Sequence, residues 1–295
     1  MKTSESRIIS PNEGEATITS EPSTSPTRAR QFVMSLVSAV LWPFLALMVL
    51  VVIWEAWVRM TTSNPLLLPT PRAVWDATIE NWDVLSAALL TTLWESLLGF
   101  AIAIIAGLLF AALIVASRIA ERTLLPALTV LNASPKIVVA PILVIWFGIG
   151  YSSKVWLAFL LSFFPIVVNC IRGFSDVDPA LLEFWHLMRA SERRIFRQVR
   201  VPNCLPYLYD GCLVALPIAF VGAVIGEFVG SDAGIGHVII IAYSQFDTPT
   251  VFAATILVSI MSTILFLLLR SSERFIIRWG PSVQAEGESR SHEGL

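Results

Sequence analysis

Six stretches of the chain are apolar, nearly free of charge and close to the length that carries a helix across a bilayer. No other feature limits the fold as strongly. About 20 apolar residues span the hydrocarbon core. Such runs fall at about Val37–Val58, Leu90–Ala116, Leu124–Phe147, Val155–Ile171, Tyr207–Val229 and Thr250–Leu269. The third is interrupted by Pro126, Pro135 and Pro141 and by the charge of Lys136. Only 14% of the residues are charged, against roughly 25% in a soluble domain. Ten Trp and 17 Phe suit lipid-facing and interfacial positions. The expected fold class is an all-α polytopic membrane protein with about six transmembrane helices.

The basic residues set the direction. With the amino terminus inside, 16 of the 20 Lys and Arg residues fall on the cytoplasmic side, including six arginines between the fourth and fifth runs (Arg172, Arg189, Arg193, Arg194, Arg197, Arg200). Only Arg59, Arg72 and Lys154 fall outside, and Lys136 stays within a run. By the positive-inside rule both termini are expected in the cytoplasm. Residues 1–32, rich in Ser, Thr, Glu and Pro, read as a disordered cytoplasmic tail without the layout of a cleavable signal. Residues 281–295 read as a second polar tail, and residues 61–87 as a periplasmic loop in which Ala73–Trp82 forms an interfacial helix. The charges are sorted by loop, so the net charge of -2 points to no nucleic-acid partner. Cys170, Cys204 and Cys212 make no disulfide framework.

Between the fourth and fifth runs, Glu183–Pro202 is polar and rich in arginine. Asp178-Pro179 starts a helix, because Asp accepts free amide hydrogens and Pro fits the first helical position. Leu181, Leu182, Trp185, Met188, Ile195, Phe196 and Val199 form an apolar stripe; Arg189, Arg193, Arg197 and Arg200 form another face. Two short helices with a turn near Ala190-Ser191 are expected. Such a segment suits a groove on a partner protein. A solvated loop lying against lipid headgroups is the other reading.

The same stretch resembles the EAA loop of bacterial ATP-binding-cassette (ABC) importer permeases of the nitrate, sulfonate and taurine type. Glu183, Leu187, Ala190-Ser191, Ile195-Phe196, Val199 and Val201-Pro202 carry the likeness. It continues through Leu205-Pro206-Tyr207, Gly211, Gly226-Glu227-Phe228, Gly234-Ile235-Gly236 and Phe246-Asp247-Thr248-Pro249. Upstream, Pro135-Lys136, Ala140-Pro141 and Trp146-Phe147-Gly148-Ile149-Gly150 belong to the same pattern. The resemblance implies the type I importer permease fold, with a core over 88–272 holding five transmembrane helices and a cytoplasmic coupling loop, 173–206. It implies a multi-pass subunit of the bacterial inner membrane, working as a homodimer with cytoplasmic ABC ATPase subunits and a periplasmic solute-binding protein. Glu183, Leu187, Arg189, Ala190, Ser191, Arg193, Phe196 and Pro202 are then the expected ATPase contacts. Three residues depart from the pattern. Phe184 and Trp185 replace two alanines, and Arg189 replaces the glycine that permits a tight turn. No GxxxxGK[ST] loop is present, so ATP hydrolysis is expected on another chain. The solutes implied are sulfonates, nitrate or pyrimidine precursors.

Several positions in the runs hold more than one reading. Gly222, Gly226 and Gly230, four residues apart, suit close helix packing within the chain or between subunits. Pro141 and Pro217 are pathway kinks or plain packing bends. Lys136 attracts an anionic solute, pairs with a glutamate such as Glu227, or snorkels to the interface. Glu55 and Glu95 are expected at the interface. Glu227, Gly234 and Gly236 form part of an external gate or a simple glycine-rich turn. No metal site or cofactor is expected, since His186, His237 and His292 lack ligand spacing. A stand-alone secondary transporter or channel would require ion-coupling carboxylates in mid-span, and none is evident in the sequence.

Overall fold

The computed structural model describes residues 45, 46, 48–60 and 68–276. The chain divides into two compact units, 1–56 and 57–295. The expected tails, 1–32 and 281–295, lie outside the described residues, as do 37–44 of the first expected run and 61–67 of the loop after it. Residues 48–60 are helical (α1).

In the second unit, α2 (Pro71–Glu80) is started by Thr70, whose Oγ1 accepts from the Ala73 amide at 3.2 Å, with Pro71 in the first turn. It takes the place of the expected interfacial helix, and Trp75 on it is exposed. After Asn81, α3 runs from Trp82 to Ala116, eight residues longer at its start than the apolar run Leu90–Ala116. Hydropathy misses this end because Asp83 interrupts it, whereas an acid in a first helical turn is stabilising. Most of the described part of the expected 61–87 loop is therefore helix.

The third run is not one straight helix. α4 (Arg118–Ala133) and α5 (Ala140–Phe147) are joined by a 3-10 turn, Lys136–Val139, and their axes bend by 89°. Pro135 drives the residue before it out of the helical region, and Ser134 is extended at φ -73°, ψ 145°. α5 ends at Gly148, whose φ of 81° favours glycine.

α6 (Tyr151–Ser175) packs along both α3 and α9 (Val201–Val229), and this trio forms the core. Small side chains set the spacing: Ala103, Ala158, Ala215, Ala219 and Ala223 are buried in one cluster with Ile166, Leu216 and Phe220. α7 (Pro179–Leu187) and α8 (Glu192–Ile195) follow α6. α8 then continues through a wide turn, Phe196–Arg200, into α9, making one uninterrupted helical segment, Glu192–Val229. The wide turn sits where Pro202 cannot donate a helical hydrogen bond. The expected pair of short helices is thus one short helix followed by a long one. α10 (Ile235–Ser244) and α11 (Thr248–Ile276) complete the unit, α11 packing on α2, α9 and α10. Four helices, and the bent α4–α5 pair as a fifth, are long and apolar enough to cross a membrane among the described residues.

Candidate functional site

Two regions gather the residues singled out in the sequence. The first is the segment around α7. Asp178 accepts from the Ala180 amide at 2.8 Å, capping the helix. Its far end closes in a left-handed turn. The Arg189 amide donates to His186 O at 2.9 Å and the Ala190 amide to Trp185 O at 3.1 Å, with Arg189 at φ 52°. The missing glycine is thus met by an arginine held in the glycine conformation, and the turn stays in place.

Val177, Ile195 and Val199 are buried together, with Leu182, Trp185 and Ala190 packed on them. The opposite face of α7 exposes Phe184, Leu187 and Met188, Leu187 by 84%. Glu183, Leu187, Arg189, Ser191 and Arg193 are exposed; Ala190, Phe196 and Pro202 are half-buried. Phe196 stacks on Phe174 at 5.3 Å, so it supports the segment from beneath. Sequence reasoning missed the ties that hold the end of α6, from which this segment springs, to Arg200 and α9. Arg200 Nη1 donates to Phe174 O at 3.0 Å. Asn203 Nδ2 donates to Gly173 O at 2.8 Å and to Asp176 O at 2.7 Å. Tyr207 donates to the Asp176 carboxylate.

The second region lies where α3, α6, α9 and α10 meet. Glu227 Oε1 accepts from the Thr92 hydroxyl at 2.6 Å, and Oε2 from the Gly236 amide at 2.5 Å. Thr92 Oγ1 in turn accepts from the Ile235 amide at 2.9 Å. Glu95 neighbours Glu227, and its Oε2 is buried without a partner among the described residues. Lys154, which the charge pattern assigns to an outer segment, lies inside α6 and is 1% exposed. Its ammonium donates to Gly150 O at 2.9 Å and to Ile149 O, and it faces the charges of Glu95, Glu227 and Asp232. Glu95, at 2% exposure, is therefore not interfacial. Its helix begins thirteen residues before it, well outside the apolar run that hydropathy marks. Gly234, at φ 94°, packs against the Glu227 carboxylate, which leaves no room for a side chain there.

The glycine row faces inward. A Cβ at Gly222 would sit 2.7 Å from Ala158 Cα, one at Gly226 3.1 Å from Lys154 Cα, and one at Gly230 3.3 Å from Val144 Cγ1. Pro217 lies within α9, whereas Pro141 stands in the first turn of α5 and bends no helix interior. Lys136 does not pair with Glu227. Its ammonium donates to Asn132 O at 2.9 Å and Asn132 Oδ1 at 3.0 Å, and lies 4.6 Å from the centre of the Phe164 ring.

Residues 99–278 match the family model "Binding-protein-dependent transport system inner membrane component". The chain is 34% identical over 238 residues to the formylaminopyrimidine transport permease protein ThiX of Halalkalibacterium halodurans, covering 80% of this chain and 95% of the relative. It is 35% identical over 250 residues to the riboflavin transport system permease protein RibX of Chloroflexus aurantiacus, covering 82% and 92%. A putative aliphatic sulfonates transport permease protein, SsuC of Bacillus subtilis, is 29% identical over 80% of this chain and 86% of its own length. Among solved structures, an amino acid ABC transporter with histidines aligns with a TM-score of 0.53 at 21% identity, over 68% of this chain and 97% of that one. The MetNI methionine ABC transporter, in an inward-facing conformation, aligns at 0.51 and 21%, over 73% and 98%.

Proposed function

Since the chain belongs to the family of binding-protein-dependent transport system inner membrane components, and is a permease subunit of an ABC importer rather than an enzyme, we propose that it couples to a separate ATPase through α7 and its closing turn. The observation that carries this reading is the exposed apolar face of Phe184, Leu187 and Met188 beside the fixed turn at Arg189. Exposed apolar side chains on a rigid support mark a docking face. Glu183, Arg189, Ala190, Ser191 and Arg193 border it, while Phe196 and Pro202 are half-buried. Motor closure would displace this helix and bias the permease between inward- and outward-facing states.

The orientation that fits has both termini in the cytoplasm, since it puts the arginine-rich segment on the side of the nucleotide. The partners are two ABC ATPase subunits, a periplasmic solute-binding protein and a second copy of this chain. The solute belongs with the small organic molecules and anions that relatives are named for, such as pyrimidine precursors and sulfonates.

Among the described residues, the buried carboxylates Glu95 and Glu227 are the feature that a stand-alone ion-coupled transporter would share. Glu227 is held at both oxygens, by Thr92 and Gly236, and Lys154 faces both acids. The arrangement suits a structural tie. Purification of the chain from its host tests the reading: a stoichiometric ATPase should accompany it. Glu183→Lys or Ala190→Glu should abolish ATP-driven uptake with insertion intact. Uptake by the chain alone in liposomes, driven by an ion gradient, would overturn it.

A further inference from the structure

A cation stands at mid-depth of the bundle, on a surface the described chain leaves open. Phe164, over which the Lys136 ammonium lies, is thirteen residues after the start of α6 and eleven before its end. At about 1.5 Å per residue, that is roughly 17–20 Å from either end of the helix. Arg172 and Lys154, towards those ends, mark how far Lys136 is from both. A lysine side chain is too short to reach an interface from there. Among the described residues no carboxylate pairs with Lys136; its partners are the Asn132 carbonyl and amide oxygen.

The backbone beside it makes the same demand. Ser134 and Pro135 are exposed, and the chain leaves the helix there. Non-helical backbone and an unpaired charge at this depth are not tolerated against lipid. Backbone exposed here must be covered by a second copy of this chain or line water, and a free ammonium beside it suits water. Pro135 fixes the break, the break places Lys136, and Asn132 and the Phe164 ring hold its side chain.

We propose that Lys136 is a specificity-determining residue of the solute pathway, where its ammonium, held by Asn132, draws solutes that bear a carboxylate, sulfonate or phosphate group. This rests on the permease reading above and adds the substrate class. An ammonium beside water raises the local concentration of anions and repels cations, and the low-dielectric walls of the bundle strengthen the effect. Asn132 adds an amide donor for the same oxygens.

The test needs neither the ATPase nor the solute. Ser134→Cys is introduced into the full chain in native membrane vesicles, and its labelling is corrected for the parent chain, whose three cysteines are buried. Two methanethiosulfonates are compared, one carrying a sulfonate and one a trimethylammonium group. The anionic reagent should react faster. Lys136→Gln should lower the anion-to-cation rate ratio by about tenfold or more, and Lys136→Arg should keep it. A Ser134→Cys chain that reacts with neither reagent, or a ratio unchanged by Lys136→Gln, overturns the proposal. Loss of ATPase co-purification with the charge-dependent labelling intact would sink the coupling reading alone.

Discussion

The Thr92 hydroxyl donates to the Glu227 carboxylate at 2.6 Å while its oxygen accepts from the Ile235 amide at 2.9 Å. One threonine therefore ties α3 to the end of α9 and to the start of α10. Thr92→Val keeps the shape and removes both bonds. A buried donor or acceptor left without its partner costs about 1–3 kcal/mol. Thermal unfolding in detergent should show that loss, and Thr92→Ser should restore most of it.

The Lys154 ammonium, held by Gly150 O and Ile149 O, faces the buried acids Glu95 and Glu227 without forming an ion pair with either. Removing it takes away the cation that faces them and leaves two carbonyls without their donor, and a buried acceptor left unsatisfied costs about 1–3 kcal/mol. Lys154→Met should therefore sharply reduce the folded fraction recovered from membranes. Lys154→Met with Glu95→Gln should recover part of it, since the second change removes one of the acids. A double variant no better folded than the single would show that the three groups do not interact.

Arg189 occupies a left-handed conformation at φ 52°. For a residue with a side chain this costs about 1–2 kcal/mol relative to glycine. Arg189→Gly should raise the melting temperature, and Arg189→Val should lower it because β-branching crowds that conformation further. The pair of unfolding curves separates backbone strain from any effect of the lost charge, which the two variants share.

Gly222 and Gly230 look alike in the sequence and differ in surroundings. The first would drive a Cβ against the Ala158 backbone; the second would meet only the tip of Val144. Gly222→Ala should cost about 1–3 kcal/mol by overpacking, and Gly230→Ala much less. Monodispersity in detergent size-exclusion reports the difference.

Much of the architecture was legible. Pro126, Pro135, Pro141 and Lys136 marked the third run as interrupted, though only Pro135 stands at the break between α4 and α5; Asp178-Pro179 announced the start of α7, and the uncharged run before Arg270 announced α11. The polar cluster was hidden because hydropathy treats each acid as the edge of a run, and Glu95 and Glu227 are 132 residues apart. A signal was nonetheless present: Thr92, Glu95, Ser96 and Gly99 recur on one face of an otherwise apolar helix, and all four are buried. A turn near Ala190-Ser191 was expected, but its closure by Arg189 in a left-handed conformation depends on backbone bonds to His186 and Trp185 that no local preference encodes. Lys136 was open to three readings because its depth is set by the ring beneath it, on another helix.

Glu192 and Glu227 belong to the same unbroken helical segment. They are 35 residues apart, roughly 50 Å along its axis. A twist applied near the first would arrive at the second through covalent backbone, without a chain of side-chain relays. The segment is one continuous covalent rod, with the arginine-closed turn just before one end and the latch on Thr92 and Gly236 at the other.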